Sequence, residues 1–221
     1  MEHQTETLEE VIKRIHETLE SVQARPTTPQ RPRNTNKSQW LKKWLKINPV
    51  TPQLRHLENA VYDFCAGYAK CPSKGSRMVI FGNNGSGKSH SAKAIQTWAD
   101  RNAINLPLVT DDGVGARLAT SAFYNWPNVV ERLKGGEWEL IESLIPVNLL
   151  VIDDLGAEHD PSKMGIEKLY LLMERRETKW TVITTNVPPP EWANRFEKRI
   201  ASRFLRNFSI VPLDETPDYK A

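Results

Sequence analysis

Residues Gly82-Asn83-Asn84-Gly85-Ser86-Gly87-Lys88-Ser89 fit the pattern G-x-x-x-x-G-K-[ST], directly behind the apolar run Met78-Val79-Ile80-Phe81 and ahead of a stretch of helical periodicity. A strand, a glycine turn and a helix start in that order leave a chain few folds to choose from. The glycines let backbone N–H groups curl around phosphate oxygens, and the helix N-terminus adds the positive end of its dipole. Lys88 then neutralises β- and γ-phosphates, and the Ser89 hydroxyl faces Mg²⁺. A glycine-rich turn with an exposed lysine is the bland alternative, and the strand before and helix after count against it.

The surrounding sequence repeats the alternation. Short, continuous, β-branched runs occur at 78–81, 106–109, 149–152, 181–184 and 208–211, and such runs suit strands buried on both faces. Helical stretches are expected near 54–70, 88–101, 114–122, 128–145, 162–179 and 190–204. The pattern predicts an α/β fold, a five-stranded parallel sheet flanked by helices. With 221 residues, 39% hydrophobic and 26% charged, the chain has room for one domain and an appendage. No apolar run approaches the ~20 residues of a spanning helix. The start, MetGluHisGlnThrGluThrLeuGluGlu, is acidic where a secretion signal needs positive charge and an apolar core, so a cytoplasmic protein with no membrane contact is expected. Cys65 and Cys71, the two cysteines, read as packing thiols rather than a disulfide or zinc framework.

Charge separates the chain into segments. Residues 1–24 carry a local −4, residues 25–56 a local +8 without a single acid, and the rest is close to neutral. Leu8, Ile12, Ile15, Leu19 and Val22 form a narrow apolar seam, so 1–24 is expected to be a helix that needs a partner. Pro26, Pro29 and Pro32 then make 25–38 an extended basic linker, with the main domain at 39–221. The basic band is either a polyanion-attracting surface or merely a solvated tether. Trp40, Leu41, Trp44 and Leu45 at helical spacing, with Lys42, Lys43 and Lys46 around them, make a short amphipathic helix that covers the core or contacts DNA or a partner.

Three further groups carry chemistry. The run Leu149-Leu150-Val151-Ile152 ends in Asp153 and Asp154. Set beside the first strand, its end brings Asp153 near a metal and Asp154 near an attacking water. By itself the pair is a common turn. Asn186, after Thr184-Thr185, either holds that water at the same sheet edge or simply forms a turn. Arg199 and Arg203, four apart on one helix face, are a surface stripe or an arginine finger for a neighbouring subunit.

Together the segments 82–89, 149–156, 184–186 and 199–204 resemble the AAA+ ATPases, and within them the DnaC/IstB-type family of bacterial and phage helicase loaders and transposition helpers, over about residues 48–213. The resemblance implies an AAA+ core binding ATP and Mg²⁺. It gives Gly82 to Ser89 to the phosphates, Ser89 and Asp153 to the metal, Asp154 and Asn186 to catalysis and Arg203 to the inter-subunit finger. Only 18 residues follow Arg203, so the core is expected to lack the usual C-terminal lid. Asp154 stands where many relatives carry glutamate. Implied partners are a hexameric replicative helicase, single-stranded DNA and further copies of the chain. The 111–146 segment, with Arg117, Phe123, Tyr124, Trp126, Arg132 and Lys134, is expected to be a helical insertion that either packs its aromatics or grips the strand. A transposition helper and a nucleotide-gated adaptor with little turnover are the alternatives. A metabolite kinase would leave the paired carboxylates and the finger without purpose.

Overall fold

The structure, a computed structural model, describes residues 37–46, 52–71, 75–102, 105–110 and 113–213; for 38, 105–110 and 113–118 the backbone alone is described. The seam at 8–22 and the prolines at 26–32 lie outside the described residues. Helix α1 (Lys37–Trp44) begins two residues inside the segment read as linker, and α2 (Pro52–Lys70) follows. Then come β1 (Arg77–Gly82), α3 (Lys88–Arg101), a hairpin of β2 (Asn105–Thr110) and β3 (Gly113–Leu118), and β4 (Ser121–Asn125). The remainder runs α4 (Trp126–Lys134), α5 (Glu139–Leu144), β5 (Leu149–Leu155), α6 (Met164–Arg175), β6 (Trp180–Thr185), α7 (Trp192–Arg195), α8 (Glu197–Asn207) and β7 (Ser209–Leu213).

The main sheet is five-stranded and parallel, in the order β4-β5-β6-β1-β7. Strand alternation divides its side chains between two cores. Val79, Phe81, Leu150, Ile152 and Ile183 pack with α4 to α8, while Met78, Ile80, Leu149, Val151 and Val182 pack with α1 to α3. Both faces are thus covered, which is why the strands read as unbroken apolar runs. Helix α1 takes the core-covering role: Trp40, Leu41 and Leu45 are buried, and the Trp40 ring meets Tyr62 and Trp98 edge-on at 5.3 and 6.0 Å. Cys65 is buried, Cys71 is half-buried, and the two form no disulfide.

The sheet departs from the sequence reading in two places. Residues 106–109 do not join it, for β2 pairs antiparallel with β3 as a separate hairpin. Pro107 has no N–H to donate, so this run is a poor central strand despite its apolar character. The fifth strand is β4 instead, and β3 with the start of β4 occupies the stretch near 114–122 where a helix was expected. All five residues of β4 are half-buried, as befits an edge, so it lacks the apolar run that marks the inner strands. Asn148 pins its start: Oδ1 accepts from the Thr120 N–H at 3.1 Å and the Thr120 hydroxyl at 3.3 Å.

The second departure is the position of β6, which lies between β1 and β5. Sequence reading had set the carboxylate strand directly beside the phosphate-loop strand. β6 reaches the sheet through Arg176, fully buried just after α6, whose guanidinium donates to the carbonyls of Leu144, Ile145, Val147 and Trp180 at 2.6 to 3.1 Å. One side chain therefore closes the end of α5 onto the start of β6. Burial pulls its pKa down to about 9, still charged at neutral pH. Replacing Arg176 with Met keeps the volume but strands those carbonyls. We expect a loss of about 3 kcal/mol or more, read as a lower urea midpoint at unchanged slope.

Candidate nucleotide site

The loop after β1 turns on glycines. Gly85 and Gly87 have φ of 76° and 92°, a region costly for any residue with a Cβ. Gly87 ends the loop as the N-cap of α3 and supplies no side-chain cap, so the first-turn amides point into a cleft. Ser86 is 2% exposed, and its Oγ has no hydrogen-bond partner among the described residues. A buried hydroxyl left unpaired costs about 1–3 kcal/mol, a cost removed by an oxygen-rich ligand seated in the loop. The Lys88 ammonium, also buried, donates to the Asn83 carbonyl at 2.6 Å across the loop. Burial lowers its pKa, and the Asp154 and Asp153 carboxylates push it back up.

At the far end of β5 the chain is bent on purpose. The β5–β6 register slips between Ile152 and Leu155, and Asp154 sits at φ 57°, the left-handed region. This bulge turns two consecutive carboxylates to different partners. Asp153 is buried, and the Thr184 hydroxyl of β6 donates to its Oδ1 at 2.6 Å. The same hydroxyl accepts the Asp154 N–H at 3.0 Å, so the intervening strand ties the pair together. Asp154 is half-buried, and its Oδ2 accepts from Asn125 Nδ2 at 3.1 Å. Desolvation and the Asp153 charge raise the Asp154 pKa, partly offset by Lys88 and Asn125. Asn125 is also the N-cap of α4, its Oδ1 accepting the Asn128 N–H at 3.4 Å.

These elements open on one cleft of about 550 Å³, lined by Leu54, Asn84 to His90, Asp154 and Asn186. That is a volume suited to a small-molecule ligand. Lys88, Ser89, Asp154 and Asn186 are therefore brought together, with Asp153 just behind through Thr184. Gly82 and Asn83 form the stem of the loop rather than the lining. Among the described residues no cluster of three or more acidic, histidine or cysteine side chains could hold a metal alone. The oxygen set of Ser89 and Asp153 suits Mg²⁺, which keeps waters and binds through one or two protein groups plus phosphates.

Two cleft residues, Leu54 and His90, and two that hold the carboxylates, Asn125 and Thr184, escaped the sequence reading as individual groups. His90 Nε2 lies 2.5 Å from the Leu45 carbonyl and so ties α3 to the end of α1. Asn125 was readable as a helix cap, since Asn-Trp-Pro is a strong N-terminal signal. Its reach to Asp154 was not.

Arg203 does not enter its own cleft. It lies on α8 against α6, donating to the Tyr170 hydroxyl at 3.1 Å and to Glu174 Oε1 at 3.4 Å. Arg199 and Arg203 both stand over the Tyr170 ring, 4.6 and 4.9 Å from its centre. They line a second, open cleft with Lys198 and Arg206. The segment 111–146, expected to be a helical insertion that packs its aromatics or grips DNA, is helical only in α4 and α5 among its described residues. Phe123 and Tyr124 belong to β4, Trp126 is fully buried, Arg132 pairs with Glu137 at 2.6 Å and Lys134 with Glu131 at 2.7 Å. Arg117 lies on β3.

The sheet order, the glycine loop and the carboxylate bulge define a P-loop α/β domain. No protein-family model and no curated protein sequence matches this chain. Solved structures do. The crystal structure of the DnaC helicase loader aligns at 19% identity and TM-score 0.62, over 83% of this chain and 98% of that one. DnaI aligns at 19% and 0.61, over 77% and 93%. AMPPCP-bound DnaA from Aquifex aeolicus aligns at 17% and 0.60 over 81% of this chain, which spans about half (52%) of the DnaA chain. At these identities the likeness is one of fold: the chain has the DnaC-like AAA+ fold. No helix of the described residues is long and apolar enough to cross a membrane.

Proposed function

We propose that this chain is an ATP-hydrolysing helicase loader that binds a hexameric replicative helicase and single-stranded DNA and completes its active sites between subunits. The observation that carries the reading is the cleft itself. A phosphate loop with an unpaired buried Ser86 hydroxyl faces Asp154 and Asn186, while the Arg203 guanidinium stands on another face of the same subunit. Ser89 and Asp153 would hold Mg²⁺, which when bound polarises the β- and γ-phosphates. Lys88 binds phosphate charge, Asp154 takes a proton from the attacking water, and Asn186 orients that water or the γ-phosphate. Thr184 and Asn125 hold the two carboxylates in place. A second copy supplies Arg203, so turnover follows assembly. The names of the similar structures support the choice of partners: a helicase loader, and a replication initiator bound to AMPPCP and single-stranded DNA.

In this reading the seam at 8–22 docks on the helicase and the basic linker lets the ATPase body reach DNA. Deleting residues 1–24 is expected to abolish capture of the helicase while nucleotide binding and DNA-stimulated phosphate release persist. Helicase capture by the shortened chain rejects the docking role, and phosphate release indifferent to single-stranded DNA rejects the loader. The nucleotide-gated adaptor remains the second reading, on one observation: Asp154 is a short carboxylate already engaged by Asn125. Negligible phosphate release from a chain that binds ATP tightly decides for it.

A further inference from the structure

Helix α1 carries Lys37, Lys42 and Lys43 and no acid. Its apolar side is committed to the core through Trp40, Leu41 and Leu45, so its cations necessarily face outward. Lys37 is drawn to Glu58 of α2, whereas Lys42 and Lys43 are exposed and in no ion pair among the described residues. Helix α3 packs beside α1 through Trp98 and Trp40 and presents Lys93 and Arg101, both exposed. Eight residues separate these two, about 12 Å along the helix and about 80° around it. The acid next to Arg101 is Asp100, whose oxygens are taken by Gln96 and Ser121.

Aromatic rings sit between these charges. The half-buried Trp44 has Lys43 at 5.1 Å and Arg101 at 5.9 Å from its ring centre, and Phe123 of β4 has Lys93 at 4.7 Å. Cations alternating with aromatic faces along a strip are what a flexible polynucleotide uses, phosphates on the charges and bases on the rings. A lipid surface is a poor fit, because the apolar side of α1 is buried and nothing remains to insert.

We propose that the α1–α3 face, with Lys42, Lys43, Trp44, Arg101 and Lys93, is a binding track for single-stranded DNA. Lys42 and Lys43 belong to the acid-free basic band of residues 25–56. This rests on the loader reading for the identity of the strand; of the 111–146 segment in which a DNA grip was expected, the track uses Phe123 alone.

The test uses the full chain with ATP, anisotropy of a labelled oligodeoxythymidine, and a fluorescent ATP analogue as the control for folding. K42A/K43A/R101A is expected to weaken the oligonucleotide about tenfold or more and to lower the salt slope by about 2, three phosphate contacts at ~0.7 each. Affinity for the ATP analogue stays unchanged. The charge-conserving K42R/K43R/R101K is expected to retain binding; if it fails as the alanine variant does, the loss is one of shape and the track is overturned. Undiminished affinity in the alanine variant also overturns the track and leaves the loader reading standing. An intact chain that binds ATP and ignores the oligonucleotide overturns both.

Discussion

Replacing Lys88 with alanine is expected to remove nucleotide affinity by about a hundredfold or more and to abolish phosphate release. The ammonium is buried beside the loop and bonded at 2.6 Å to the Asn83 carbonyl; desolvation lowers its pKa, and the Asp154 and Asp153 charges oppose that lowering. A triphosphate arriving in the loop exchanges that neutral carbonyl for charged oxygens. Charge-assisted bonds of this kind are worth about 1.5–3 kcal/mol each, and tenfold in affinity corresponds to about 1.4 kcal/mol. The variant loses the cation and also leaves Asp153 and Asp154 with less counter-charge, so the apo protein changes little while the bound state loses most. Titration of a fluorescent ATP analogue checks this, with thermal melting to confirm the fold. Affinity within threefold of the parent would mean that the loop is not a phosphate site, and the proposed function falls with it.

The second large effect concerns Arg203. Arg203→Ala is expected to leave nucleotide affinity near the parent value and lower turnover by ~10³–10⁵, the contribution of an arginine finger. Affinity is spared because the side chain lies against Tyr170 and Glu174, outside its own cleft. The decisive measurement is a mixture. On the proposed function, Arg203→Ala and Asp154→Asn subunits are each expected to be inactive alone, but together to form some interfaces in which an intact Asp154 faces an intact Arg203. Phosphate release should reappear on mixing. A mixture that stays silent at concentrations where the subunits associate places the arginine's role within one subunit, or makes it purely structural through the Tyr170 stack. A third variant, Arg199→Ala, removes a guanidinium 4.6 Å from the Tyr170 ring centre and should cost far less turnover than Arg203→Ala.

The residues proposed to bind and react were legible one segment at a time. Gly82 to Ser89 needed only the strand before and the helix after, because a phosphate loop is built from backbone amides and glycine conformations within eight residues. Asp153, Asp154 and Asn186 were legible because strand ends in a parallel sheet fall at one edge, whichever neighbours the strands choose. What remained hidden depends on those neighbours. A strand covered on both faces reads the same in any position, so nothing local said that β6 would separate β1 from β5. Yet that order is what lets one Thr184 hydroxyl reach Asp153 and the Asp154 amide together. The edge strand was hidden for the opposite reason: Ser121 to Asn125 is half-buried and carries no apolar run, while the apolar run at 106–109 is a strand that pairs in the separate hairpin.

The amino-acid order by itself determined the phosphate loop, the carboxylate pair and the layered α/β architecture, since each arises from short-range backbone chemistry or from the period of apolar residues. Only the tertiary structure decided which strand forms the edge, that Asn125 holds Asp154, that the cations of α1 meet those of α3, and that Arg203 stands away from its own cleft. Those four depend on long-range crossings whose free energy is spread over the packing of two whole cores rather than written into any one segment.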